Sequence, residues 1–171
     1  MAVPLSDIHM QSTRLSLKPF SADDADAAFF CITPSLARFM SWEVPASRAA
    51  FDRTWQAWLP AMAAGEEFVF AVRQRTDGGF LGLTGLHRVT SDDPELGIWI
   101  REDRHRQGFG PEAVGMVAQW ATQALGIASF LYPVAEANRP SRRLAESLGG
   151  IMVGRRTMPK FDAVIYRIPG R

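Results

Sequence analysis

The residues best suited to chemistry lie between Arg101 and Ala113, in the run Arg-Glu-Asp-Arg-His-Arg-Gln-Gly-Phe-Gly-Pro-Glu-Ala. A charged turn leads out of an alternating apolar stretch and into glycines that open an amphipathic one. Gly108 and Gly110 remove side chains where backbone N–H groups would approach a ligand closely. A helix starting there adds unpaired donors and the positive end of its dipole, which together suit a pyrophosphate. The bare Gly-x-Gly pattern fits a tight turn equally well and does not choose between the two. Gly108, Gly110 and Ala113 also match part of a dinucleotide fingerprint, but that motif needs a parallel βαβ sheet, and the strands before it read as a meander. His9, His87 and His105 are too scattered to make a metal site. Cys31 stands among apolar neighbours and reads as a buried thiol.

The frame that must position these residues is 171 residues long, 47% apolar and 22% charged, with net charge +1 and one cysteine. Length favours one domain over 1–171. Near-balanced charge argues against a general nucleic-acid or membrane-surface binder. A lone cysteine excludes an internal disulfide framework and suits a reducing cytoplasm. The start, Met1 to Met10, lacks the basic and apolar regions of a signal peptide. Ala113 to Ala135 carries no charge and is long enough to span a bilayer, yet its apolar period changes midway, so it reads as a half-buried helix and then a buried strand.

Alternation predicts strands over 13–19, from Glu67, over 80–89 and over 95–101, the middle two joined by the turn Thr76-Asp77-Gly78-Gly79. Helical spacing predicts helices over 22–31, 48–62 and 111–125, the first opened by Ser21 and early aspartates. Thr33-Pro34 either stops the first helix or begins another turn. A strand over 129–137, a helix over 141–148 and strands over 151–158 and 162–168 complete the chain. The order is that of a mixed α/β protein with an antiparallel front half.

That order, with the glycine turn and with Asn138-Arg139-Pro140-Ser141 opening a helix that ends Leu148-Gly149, resembles the GNAT superfamily of N-acetyltransferases, most closely its RimJ/RimL-type branch. Thr13 to Leu17, Gly79 to Gly82 and Glu95 to Ile100 fit as well. The resemblance implies an α/β fold of the α+β type: one mixed, mostly antiparallel sheet of six to seven strands with about four helices, splayed between the fourth and fifth strands. It implies acetyl-CoA as cofactor, with the family's phosphate loop falling on His105, Arg106, Gln107, Gly108, Phe109 and Gly110. His105 replaces the usual Arg or Gln. Pro111, where Thr or Ser is common, has no N–H to donate. A bulky residue at Gly110 is expected to block this cradle. Ile98, Trp99 and Ile100 would border the pantetheine arm, Trp99 being equally suited to core packing. Arg142 and Arg143 suit a phosphate, an acidic acceptor or an exposed helix face.

Acetyl transfer to an amine needs a neutral nucleophile and a proton for the departing thiolate. At about pH 7.5 a lysine amine of pKa about 10.4 is roughly 0.1% neutral, while an α-amine near about 7.8 is roughly a third neutral. For the base, Glu95 starts the strand beside the expected thioester; a solvated carboxylate is the alternative reading, and Glu136 is held in reserve. Many members of the family use a tyrosine seven residues after the asparagine, where this chain has Ala145. Ser141, three residues after Asn138, would donate to the thiolate or bond the cofactor, unless it merely caps the helix. Asn138 would contact the cofactor or fix the strand end. Phe39 to Pro45, Trp55 and Trp58 wall an acceptor site or pack the core. The implied partner is an amine acceptor, a protein N-terminus or a small molecule, with no nucleic acid and no membrane; a homodimer is left open. A non-catalytic acyl-CoA-binding module of the same fold is the competing reading.

Overall fold

The computed structural model describes residues 3–171. Two-residue β1 (Met10–Gln11) pairs with β2 (Leu15–Pro19). A 3-10 turn at Ala22–Asp24, closed by Ser21 and Asp24 as a capping box, precedes α1 (Ala25–Cys31). Thr33 caps the one-turn α2 (Pro34–Ala37), and Ser47 caps α3 (Arg48–Ala63), each side chain accepting from the amide three residues on. Then come β3 (Phe68–Gln74), β4 (Phe80–His87) and β5 (Glu95–Ile100), joined as a meander. The second half is α4 (Phe109–Leu125), β6 (Ser129–Ala135), α5 (Arg139–Ser147), β7 (Ile151–Thr157) and β8 (Asp162–Pro169).

The strands form one sheet in the order β1-β2-β3-β4-β5-β6-β8-β7. Eight strands and five α-helices exceed the expected six to seven and about four, because two-residue β1 and four-residue α2 are too short to show a period. α4 begins at Phe109 rather than Pro111: Gly108, at φ +78°, turns the chain directly into it. Pro111 is tolerated in that first turn because its missing N–H would have had no acceptor within the helix. α5 likewise starts two residues early, at Arg139, because Asn138 caps it.

Only β5 and β6 run parallel, and they share a single rung, Glu95 with Leu131, closed by the Leu131 amide on the Pro94 carbonyl at 2.8 Å. The next β6 residue whose N–H would point at β5 is Pro133, which has none. The ladder stops there and the strands part, in the pair where the splay was expected.

α4 and α5 pack on one face of the sheet over a core that crosses the split, including Leu96 and Ile100 of β5 and Phe130 and Val134 of β6. On the other face α1 and α3 cover β3 to β5, while Leu131, Ala163 and Ile165 form a separate small cluster. The opening lies between those two clusters. Among the described residues no helix is long and apolar enough to cross a membrane.

Candidate active site

The split is lined from both faces. A cleft of 480 Å³ runs through it, bordered by Tyr132, Asn138 and Ser141 from the α5 side and by Trp42, Trp58 and Trp99 from the α1–α3 side. The Arg101 amide bonds the Leu81 carbonyl at 2.7 Å, in line with the β4–β5 register. Odd-numbered residues of β5 therefore direct their backbone groups at β4, and even-numbered ones at β6. Beyond the one rung, Ile98 turns both its N–H and its C=O into the gap. Ile100 lies further along the same edge, where its carbonyl accepts from the His105 Nε2 at 2.7 Å. Trp99 lines the cleft and also packs against Phe80, ring centroids 5.9 Å apart.

The loop from His105 to Gly110 follows. His105, although exposed, folds back on the strand: its amide bonds Glu102 O and its ring bonds Ile100 O, so its side chain braces the turn against β5. From Arg106 through Gly110 the backbone amides meet no protein acceptor among the described residues. Two of them sit in left-handed backbone, Arg106 at φ +63° and Gly108 at φ +78°. Consecutive free amides at the start of the 17-residue α4 form a cradle suited to a diphosphate. The absent Cβ of Gly110, however, points at Leu144 Cδ1, 3.1 Å away on α5. A bulky residue there would press on the packing of α4 against α5 as well as crowd the cradle.

Arg14 organises this loop from a distance of 98 residues in sequence. Its guanidinium bonds the Glu112 carboxylate at 2.8 and 2.5 Å and the Gln107 carbonyl at 2.8 Å, and lies 4.6 Å from the centre of the Phe109 ring. Glu102, at the entrance to the loop, accepts from Ser35 at 2.7 Å and from Thr33. Those two hydroxyls hold its carboxyl below the usual range. The loop is thus clasped to the start of α2.

Two polar groups, Glu95 and Ser141, line the cleft. Glu95 is 15% exposed, and its Oε1 accepts from Arg88 at 3.1 Å and Arg156 at 3.0 Å. Both bonds fall on one oxygen, leaving Oε2 able to accept elsewhere. Ser141 Oγ lies 2.6 Å from the Tyr132 hydroxyl. Tyr132 is 2% exposed, and burial pushes its phenol up to about 12, opposed by the Ser141 bond. The phenol therefore keeps its proton, and since Ser141 is its one hydrogen-bond partner among the described residues, it donates to Oγ rather than strand that proton in the core. The Ser141 hydrogen is thereby left free for the cleft. Asn138 Oδ1 accepts from the Ser141 amide at 3.4 Å, a capping contact.

Other residues singled out from the sequence lie elsewhere. Glu136 borders a neighbouring shallow site and is paired with Arg155 at 2.6 Å, which holds its carboxyl below its ordinary value. Arg142 bonds the Tyr166 hydroxyl and the Glu136 carbonyl, while Arg143 is exposed on α5. Ala145 is fully buried against α4, where a tyrosine has no room. Cys31 is a buried free thiol whose pKa burial raises. Trp55 belongs to the core, whereas Trp58 lines the cleft. Tyr132, Arg14, Arg88 and Arg156 were not legible as site residues.

Residues 14–151 match the acetyltransferase (GNAT) domain, and the chain belongs to that family. As such it is an N-acetyltransferase that draws on acetyl-CoA. Its fold matches the ribosomal-protein-S5-alanine acetyltransferase of Vibrio fischeri at TM-score 0.83 and 13% identity, over 96% of this chain and 97% of that one. It also matches the spermidine N-acetyltransferase of Vibrio cholerae, solved with CoA and spermine, at TM-score 0.79 and 17% identity, covering 93% and 97%. RimJ of Mycobacterium smegmatis, solved with a CoA disulfide, gives TM-score 0.79 and 19% identity, covering 91% and 81%. No curated protein matches.

Proposed function

We propose that this chain brings acetyl-CoA and a primary amine together from opposite faces of its sheet and transfers the acetyl group directly between them. The observation that carries this reading is the split itself, one cleft lined from both faces. The amides of Arg106 to Gly110 would hold the diphosphate, and the backbone of Ile98 would take the place of a strand partner for the pantetheine arm. When bound, the cofactor supplies an activated acyl thioester.

The chain's own residues supply positioning and proton handling. Glu95 Oε2 takes a proton from the incoming ammonium, directly or through a water, while its two arginines fix the carboxylate in place. Ser141, fixed by Tyr132 and Asn138, offers its hydrogen to the departing sulfur. Trp99 closes the apolar wall between them. Holding two reactants in one cleft contributes more than either side chain, since positioning alone can supply roughly 7–11 kcal/mol. The single cysteine, Cys31, buried and unpaired, supports a cytoplasmic setting.

Calorimetric titration with CoA, followed by acetyl-CoA turnover with a panel of amines detected as free thiol, tests this reading. CoA is expected to bind and at least one amine to release thiol above the hydrolytic background. Binding without turnover by any amine would make the chain a CoA-binding module, and no heat with CoA would remove the site assignment altogether.

A further inference from the structure

Resting on the acetyltransferase reading, we infer that the acceptor is a small primary monoamine with an uncharged apolar body, an arylalkyl- or alkylamine. The first argument is charge. The cleft lining holds two carboxylates, Glu43 and Glu95, and each already faces a cation. Glu95 is paired with Arg88 and Arg156, and Glu43 Oε2 stands 3.4 Å from Lys160 Nζ. Arg156 itself lines the cleft. The reacting amine uses the free Glu95 Oε2; each further ammonium of a polyamine would meet only carboxylates already paired with cations and would lose hydration without an equivalent partner.

The second argument is the wall. Phe39, Trp42, Trp58, Met158 and Phe161 surround the half of the cleft on the α1–α3 side. Trp58 is fixed edge-on against Phe20 and Phe51, with ring centroids 5.2 and 6.4 Å apart. Flat apolar surfaces of this kind suit an aromatic or aliphatic body.

The third argument is access. Lys160 Nζ donates to the Ala37 and Trp42 carbonyls at 2.9 and 3.0 Å, tying the β7–β8 turn to the segment between α2 and α3. Residues from both tied segments line the same cleft, Phe161 and Met158 from one and Phe39 and Trp42 from the other. The tie limits how far the two lining segments can part, which favours a small amine over an extended polypeptide. The 480 Å³ available, part of which the acyl donor's arm must occupy, is a small-molecule volume.

Initial rates with acetyl-CoA compare 2-phenylethylamine, spermidine and a tetrapeptide with a free N-terminus. The expected kcat/KM for 2-phenylethylamine exceeds both others at least tenfold; spermidine or the peptide matching it overturns the inference. The ranking is also read without turnover, as quenching of tryptophan fluorescence by each amine in CoA-saturated protein. No quenching by millimolar 2-phenylethylamine likewise overturns it. Lys160→Met, which unmasks Glu43 and unties the turn, is expected to shift the preference toward spermidine at least threefold, and an unchanged preference counts against the charge argument. The two readings fail separately: 2-phenylethylamine binding without CoA binding removes only the acetyltransferase assignment, while turnover that favours spermidine removes only the acceptor assignment.

Discussion

Tyr132 and Ser141 form a two-hydroxyl chain in which one proton is committed and the other is free. Burial keeps the phenol protonated, and its one partner among the described residues is Ser141 Oγ at 2.6 Å. The serine hydrogen then becomes the donor presented to the cleft, a role that Ala145, at the family's tyrosine position, cannot fill. Tyr132→Phe deletes the buried hydroxyl and leaves the ring in its packing. Ser141 loses orientation, so kcat is expected to fall roughly tenfold while the KM for acetyl-CoA stays within about twofold. A rise in KM with unchanged kcat would instead make the pair a binding contact. Ser141 was marked in the sequence through the family resemblance, by its offset to Asn138. Tyr132 was not, because nothing local connects a residue within a buried strand to a helix start nine residues later. Arg14 was hidden more deeply: read alone, it is the polar residue at the start of a strand, and its link to Glu112 and Gln107 exists only after the sheet and α4 have assembled.

The N-terminus of α4 carries two glycines with different tasks. Gly108 sits at φ +78°, where a side chain is strained by about 1 kcal/mol or more, and its amide belongs to the free run. Gly110 has helical backbone, and its missing Cβ makes room for Leu144. Gly108→Ala is therefore expected to lower stability by about 1 kcal/mol and to raise the KM for acetyl-CoA several-fold, because the turn that aligns the amides is disturbed. Gly110→Ala meets only the flexible end of a leucine and is expected to leave that KM within about twofold. Denaturant unfolding and steady-state kinetics on the pair check both halves, and equal effects on KM would count against the division of labour. Most element types followed from period and from a few opening residues: Ser21 marks a helix start in the sequence and in the fold, and Asn138 stands at the opening of α5, whereas the capping by Thr33 and Ser47 emerges only in the fold. The two-residue offset at α4 arose because Pro111 reads as a helix opener, while the left-handed turn at Gly108 is a backbone event that composition does not reveal.

Across the whole molecule, the sheet is continuous on one face and divided on the other. The larger core spans β5 and β6 beneath α4 and α5, so the split cannot separate the molecule. On the opposite face the cluster under α1 and α3 and the one at Leu131, Ala163 and Ile165 stand apart, and the cleft occupies the space between. The cause lies partly in Pro133, which removes the donor for a second parallel rung; the residue was present in the sequence, but its meaning depended on which edge of β6 it would face. This architecture makes a local prediction about hydrogen exchange. Amides of β6 and β8 are paired over seven consecutive positions, Ser129 with Pro169 to Ala135 with Ala163, and those engaged in that ladder are expected to exchange slowly with or without ligand. The Ile98 amide and those of Arg106 to Gly110 have no such partners and are expected to exchange quickly in the free protein. CoA at about a hundredfold excess over its Kd stabilises the folded state by about 2.7 kcal/mol overall. Its direct contacts should also slow Ile98 and the 106–110 amides beyond that shared increment. Protection concentrated at those positions would fix the cofactor along the path from the α4 cradle to the split. Protection spread evenly over the sheet, or centred elsewhere, would detach the cofactor from the split and with it the meeting of two substrates from opposite faces.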